Sequence, residues 1–346
     1  MTLMEKEILE QPQALAGIKA ANMDTINKLV ADIKSRDINF VYFAARGTSD
    51  HASIYAQYML GRCVGIASGL ATPSVITAYG KEIDLSHALV IGVSQSGKAA
   101  DALAVMAQGK KCGAITVSVT NEADSPMAKE ADYHLYCNAG PEISVAATKT
   151  FTAQMYLLAL LTAAWSGSDK LMEKLDKVPA AMEEMMKTLP AQIEAIAPRY
   201  RYMRDGFTLG RGVNYPIALE SALKLKETNY VRMNGSAISD FWHGPLAQIE
   251  PETVVILYAA QGPVFEDSKK MLEKLDELEA EVILVTDSAE LAAGRERAFV
   301  MPNLGCDCVA PYFNAVFAQM FACKLTAVKG RNPDAPRNLK KVTITK

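Results

Sequence analysis

The sequence predicts an α/β protein made of two copies of one domain, each a mainly parallel sheet flanked by helices. Three observations carry that expectation. Short apolar runs alternate with helical patterns, the alternation pauses in a proline-punctuated helical stretch, and what restarts after the pause repeats what came before. With 346 residues and 50% hydrophobic content, the chain can supply two cores at roughly 100–200 residues per domain.

Residues 1–23 read as an N-terminal helical arm. In a first domain over 24–165, "INFVYFAARG", "HALVIGVSQSG", "CGAITVSVTN" and "YHLYCNAG" read as buried strands. Helices are expected over 51–62 and 98–108, and a long one from about Thr150. Residues 166–198 predict a helical connector, punctuated by Pro179, Pro190 and Pro198, in which Met182, Met185 and Met186 fall at the spacing of a packing face. A second domain follows over 199–330, and a tail over 331–346. Buried strands alternating with helices stack as a parallel, layered sheet.

The repeat is visible in two registers. "ARGTSDHASIYAQYML" aligns with "GRGVNYPIALESALKL", placing Arg211-Gly212 165 positions after Arg46-Gly47. "VIGVSQSG" aligns with "ILYAAQGP", placing Gln261 166 positions after Gln95. The first copy carries Ser94 and Ser96 in this turn; the second reads "AAQGP" and has no hydroxyl there.

Composition excludes several classes of function. The 36 Lys and Arg against 39 Asp and Glu give a net charge of −3, with no electrostatic footprint for nucleic acid. "MTLMEKEILEQ" lacks the basic start and apolar core of a secretory signal. The most apolar stretch, "FTAQMYLLALLTAAW", is shorter than the ~20 residues of a membrane span. A soluble, cytoplasmic protein without a membrane partner is expected. Of six cysteines only Cys306 and Cys308 are close in sequence, and neither they nor His51, His87, His134 and His243 show a zinc spacing. Free thiols, no metal and no organic cofactor are therefore expected.

Two constellations carry chemistry. A strand that ends in a Ser-Gly turn and opens a helix leaves backbone N–H groups unpaired at the positive end of a helix dipole, a place that favours an anion. Ser94, Gln95 and Ser96 form such a turn, and Thr48 and Ser49 end the preceding strand in the same way. Neither the P-loop nor the dinucleotide glycine pattern is present, so a small phosphomonoester fits better than a nucleotide. The same turn also serves as a plain helix cap. Further on, Glu220, Lys224 and Glu227 stand at i, i+4 and i+7 on a helix beginning near Pro216, and His243 follows in a "WHGP" loop. Carboxylate, ammonium and imidazole are what proton transfer at a carbonyl and a sugar ring requires. A solvated face of i,i+4 ion pairs would give the same spacing.

Seven blocks in order resemble a known family: "EKEILEQP", "GTSDHA", "SQSG", "EISVAATKTFTAQ", "LGRG" with "YPIALESALKLKE", "HGPLA" and "PRNLKK". The chain resembles proteins built from tandem sugar isomerase (SIS) domains, among them the isomerase half of glucosamine-6-phosphate synthase. The resemblance implies flavodoxin-like three-layer sandwiches and no cofactor. It implies that Thr48, Ser49, Ser94, Gln95 and Ser96 hold a sugar phosphate, that Val145, Ala146, Glu220 and Lys224 line the sugar site, and that Glu227 moves a proton between C1 and C2. His243 would open the ring from a neighbouring subunit of a homodimer, and Lys341 would form a Schiff base or assist opening. The chain departs from the synthase pattern at Lys98-Ala99, where that family has Glu-Thr, at Arg46, which replaces a small residue, and at "SDFWHGP" before the histidine. Lys98 is expected to compensate on the phosphate for the missing threonine. The sequence begins with the isomerase part, so it is expected not to draw ammonia from glutamine.

The resemblance implies an isomerase/deaminase of an amino sugar 6-phosphate, converting glucosamine 6-phosphate to fructose 6-phosphate and ammonia or running in reverse. Two alternatives stay open: a deglycase of a phosphorylated sugar–amino acid adduct, with Arg46 and Trp242 serving a larger amine, and a sugar-phosphate sensor without chemistry.

Overall fold

The computed structural model describes residues 1–341. Its first sheet contains β1 (Phe40–Ala44), β2 (Ala67–Leu70), β3 (Ala88–Ser94), β4 (Ile115–Thr120) and β5 (Tyr133–Tyr136), in the order β2-β1-β3-β4-β5. The second contains β6 (Asp205–Gly210), β7 (Arg232–Ala237), β8 (Val254–Ala259), β9 (Glu281–Thr286) and β10 (Ala298–Val300), in the order β10-β9-β8-β6-β7. Every pairing is parallel. Advancing each strand of the first sheet by five reproduces the second, so both copies have the doubly wound, flavodoxin-like order. The fold is the expected duplicated α/β sandwich.

The central strands β3, β4, β8 and β9 are near-continuous runs of Val, Ile, Leu and Thr, buried along almost their whole length, as a sheet covered on both faces demands. Each copy also contains one helix with no polar face. Lys149–Ser166 is buried from Lys149 through Ala163, and Ala310–Val328 is buried over nearly all its turns. Such all-round burial marks core helices. Within the second, Phe317 stacks on Phe321 with ring centroids 5.9 Å apart, and a fully buried phenylalanine contributes about 1.5–3 kcal/mol. In the connector, Met182, Met185 and Met186 are buried, the packing face their spacing implied.

Local details repeat as well. Gly47 and Gly212 both have φ of 58°, a left-handed conformation that glycine adopts without a side-chain clash. The arginine before each binds an aspartate in the helix that follows the copy's third strand: Arg46 to Asp101 at 2.8 Å and Arg211 to Asp267 at 3.0 Å.

The chain forms two compact units that interleave in sequence. One comprises 1–12, 143–148 and 177–339; the other comprises 13–142 and 149–176 together with Lys340 and Lys341. No helix among the described residues is long and apolar enough to cross a membrane. None of the six cysteines is joined in a disulfide. Burial raises the pKa of Cys137, and raises that of Cys323 to about 11, which leaves both unreactive near neutral pH.

Candidate active site

In the first sheet the strand order reverses between β1 and β3, and the crevice beyond the carboxyl ends of two such strands is the usual ligand site of an open α/β sheet. Ala44 of β1 is paired with Gly92 of β3, so the segments following both strands emerge at the same edge. Thr48 and Ser49 open the helix Thr48–Cys63, and Ser94 ends β3 ahead of the helix Ala100–Lys111. The structure thus brings Thr48, Ser49, Ser94, Gln95 and Ser96 to one edge, with two helix N-termini beside them. Lys98 is exposed in the same turn.

The turn itself is held rigidly. The Ser94 hydroxyl accepts a hydrogen bond from the Gly97 N–H (3.1 Å), the Gln95 carbonyl accepts from the Asn121 N–H (3.0 Å), and the Gly97 carbonyl accepts from the Met127 N–H (3.2 Å). Gly97 has φ of +61°, and a Cβ there would lie 2.2 Å from Ser125 Oγ and 2.5 Å from Ser125 Cβ. Gly97→Ala is therefore expected to cost about 1–3 kcal/mol of stability through overpacking, and to raise the KM for a sugar phosphate. Thermal melting and steady-state kinetics check both; an unchanged KM would show that the turn's shape does not govern binding.

In the other unit, the helix Tyr215–Lys224 continues into a π-helical turn, Leu225–Asn229, which ends at Tyr230 in the left-handed conformation (φ 56°). A regular helix was expected through Glu227; the wider turn carries it instead, and such turns cluster at functional sites. Lys224 lies 3.3 Å from Glu220 and 2.6 Å from Glu227. Glu220 and Lys224 are fully buried, and the Glu227 side chain is 22% exposed. The triad is a buried network in which only Glu227 reaches solvent, which excludes the solvated face. Burial is the largest single influence on Lys224 and pushes its pKa down, but Glu220 and Glu227 outweigh it and hold the ammonium above its ordinary value.

Beyond the π turn, the guanidinium groups of Arg331 and Arg337 sit 4.6 and 4.1 Å from the centroid of the Tyr230 ring. This fixes the chain just after Glu227. His243 lies on an exposed loop after the helix Ile238–Phe241, its N–H bonded to the Asp240 carbonyl (3.0 Å). Among the described residues no hydrogen bond or ion pair joins its ring to the triad.

Lys341 pairs with Glu142 at 2.8 Å. The Glu142 carboxylate is buried and also accepts from the Thr150 N–H (3.0 Å) and hydroxyl (2.8 Å). Val145 is half-buried and Ala146 buried in the segment 143–148, which Glu7 grips from the helix Leu3–Leu9: its carboxylate accepts from the Ile143 N–H and from the Ser144 N–H and hydroxyl. Sequence reasoning missed Glu142, Glu7 and Asp101 as supporting residues. Glu7 and Glu142 fall within the blocks "EKEILEQP" and "EISVAATKTFTAQ", which carried the resemblance but assigned neither residue a supporting role.

A family model for the SIS domain matches residues 36–164 and again 204–329, most of the chain. The chain belongs to the SIS-domain family. It is 34% identical over 351 aligned residues to the glutamine–fructose-6-phosphate aminotransferase (isomerizing) of Thermococcus kodakarensis, an alignment covering 99% of this chain and 58% of that relative. The SIS chain thus spans a little over half the length of the curated relatives it matches. Among solved structures, the C-terminal domain of glucosamine-fructose-6-phosphate aminotransferase from Francisella tularensis superposes with a TM-score of 0.87 at 26% identity, covering 97% of this chain and 98% of that one. A glucosamine-6-phosphate deaminase from Thermotoga maritima, 22% identical, shares the fold with a TM-score of 0.80 over 99% of this chain and 100% of its own.

Proposed function

We propose that the protein is a phosphosugar isomerase and deaminase that converts an amino sugar 6-phosphate, with glucosamine 6-phosphate as the model substrate, into the ketose 6-phosphate and ammonia, or runs the same reaction in reverse. The buried Glu220–Lys224–Glu227 network carries the reading. It presents one carboxylate, Glu227, to solvent while a paired lysine holds it in place, as a base acting beside a carbonyl requires.

In this reading the Thr48-Ser49 and Ser94-Gln95-Ser96 turns hold the phosphate through hydroxyls and helix N-termini. His243 and Lys341 assist ring opening by passing the ring-oxygen proton. Glu227 takes the proton from C2 and returns it to C1, and water hydrolyses the resulting imine to release ammonia. Lys98 adds a cation near the anion, so Lys98→Ala is expected to raise the KM for the sugar phosphate several-fold with kcat little changed. An unaltered KM would remove Lys98 from the binding set.

The deglycase alternative needs Arg46 for the carboxylate of a larger amine. Arg46 already pairs with Asp101, as Arg211 does with Asp267 in the other copy, and this favours the smaller leaving group.

The test is release of ammonia and fructose 6-phosphate from glucosamine 6-phosphate by the purified full chain, with lysine release from fructoselysine 6-phosphate measured in parallel. Ammonia release is expected. Lysine without ammonia would make the protein a deglycase, and binding without turnover of either substrate would make it a sensor. We also propose a homodimer in which His243 acts in the neighbouring subunit's reaction. Mixing inactive Glu227→Gln and His243→Ala proteins is expected to restore part of the activity, and no recovery would speak for self-contained subunits.

A further inference from the structure

The two copies differ most in chemistry where their folds agree. In the first copy Asn121, just past β4, accepts from the Ala139 N–H (3.0 Å) and donates to the Gly140 carbonyl (2.8 Å), a neutral lining beside the Gln95 turn. Advanced by the same 166 positions, Asn121 becomes Asp287 and Gly140-Pro141 becomes Cys306-Asp307. Asp287 accepts from the Gln261 N–H at 2.7 Å. Asp307 packs against the neighbouring Gly262, where an added Cβ would lie 2.8 Å from Asp307 Cβ. Where the first sheet offers amides and hydroxyls to an anion, the second gathers two carboxylates and two thiols.

Local backbone geometry focuses this cluster. Cys306 is extended (φ −155°, ψ 114°) and runs directly into the 3-10 turn Asp307–Val309, which closes as the Val309 N–H donates to the Cys306 carbonyl (3.2 Å). The change of conformation brings the sulfurs of Cys306 and Cys308 and a carboxylate oxygen of Asp307 within 4.8 Å of one another. Bonds of about 2.3 Å to sulfur and 2.0–2.2 Å to oxygen place tetrahedral ligands roughly 3.5–3.8 Å apart, so side-chain rotations of about an ångström would close the trio on a metal. The helix Ala310–Val328 begins immediately afterwards. Asp307 and Cys308 are buried, while Cys306 is half-buried and leaves a side open to water.

We propose that Cys306, Asp307 and Cys308 form a binding site for a thiophilic divalent cation of the zinc class in the second SIS copy. The two thiols give their protons to solvent as the metal–sulfur bonds form, and water completes the coordination. Thiolate ligands select zinc-like ions over magnesium or calcium. A C-x-C spacing has no zinc signature, and the sequence reading assigned no metal; the third ligand is the residue between the cysteines.

The experiment titrates the metal-stripped full chain with zinc chloride and, separately, with cobalt(II) chloride under a phosphine reductant. One zinc per chain and a sulfur-to-cobalt charge-transfer absorption are expected. Both should vanish in the Cys306→Ser/Cys308→Ser double variant and persist in Cys63→Ser/Cys112→Ser, and Asp307→Asn should weaken zinc binding by about tenfold or more. Zinc stoichiometry unchanged in the double variant would overturn the site, as would a wild-type cobalt complex without the charge-transfer band. That band is read on the wild type, so its absence would overturn the site even if the cysteine variants fail to fold. Sugar-phosphate turnover enters neither readout, so this proposal and the proposed activity fail independently.

Discussion

Replacing Glu227 with Gln is expected to lower kcat on the amino sugar phosphate by about 10²–10⁴-fold, the contribution of a positioned general base. The amide keeps the size and planarity of the carboxylate and an oxygen for Lys224, so the π turn should persist. What disappears is the capacity to take up a proton. Lys224 keeps a second counter-charge, Glu220 at 3.3 Å, so the fold should hold. KM should change little, because the residues proposed for the phosphate, Thr48, Ser49 and Ser94 through Ser96, are untouched. Steady-state kinetics separates the two parameters, and a kcat left near the wild-type value would remove Glu227 as the base.

A Lys224→Met change is expected to be the most damaging to stability, by about 3–5 kcal/mol, because it removes the cation from a buried ion pair and leaves the Glu220 carboxylate in the interior without that counter-charge. Glu227 can hydrate through its exposed edge, but Glu220 is fully buried. Combining Lys224→Met with Glu220→Leu should recover much of the loss, since an apolar pair of similar size is often no less stable than the ions it replaces. Urea unfolding measures both variants. A single-variant loss below about 1 kcal/mol would mean that Glu220 simply takes up a proton when its partner goes.

The direction of the Lys224 shift also sets a pH dependence. Its pKa in the fold is raised, so its stabilisation is complete below the unfolded lysine value of about 10.4 and fades only as pH climbs through the higher folded one. The wild type should therefore lose stability on the alkaline side of that value by more than the Lys224→Met protein does.

The central strands and the duplication were legible because apolar runs such as "ALVIGVS" and "VVILYA" leave few alternatives. Two of the edge strands, β2 and β7, were not. β2 is "ASGL" and β7 is "RMNGSA", short and glycine-bearing segments whose pairing comes from the neighbouring strand and not from β propensity. The π turn was equally hidden, since spacing cannot report one extra residue in a turn when both helix types put Lys224 near Glu227. Ser94, Gln95 and Ser96 were legible from the Ser-Gly turn itself. Their supports were not: Asp101 and Glu142 act across 55 and eight positions, as the Arg46 and Thr150 contacts show, and such partners emerge only once the chain is folded.

The anchoring of the helix that grips the segment 143–148 has a consequence for how the protein folds. The backbone N–H groups of Leu3 and Met4 both donate to the Asp334 carboxylate at 2.8 Å, 331 and 330 positions away. Closing a contact between segments so distant in sequence is slow, because the loop entropy must be overcome before the contact rewards it. The helix Leu3–Leu9 is thus expected to dock late in folding, and the segment bearing Val145 and Ala146 gains its hold from Glu7 only then.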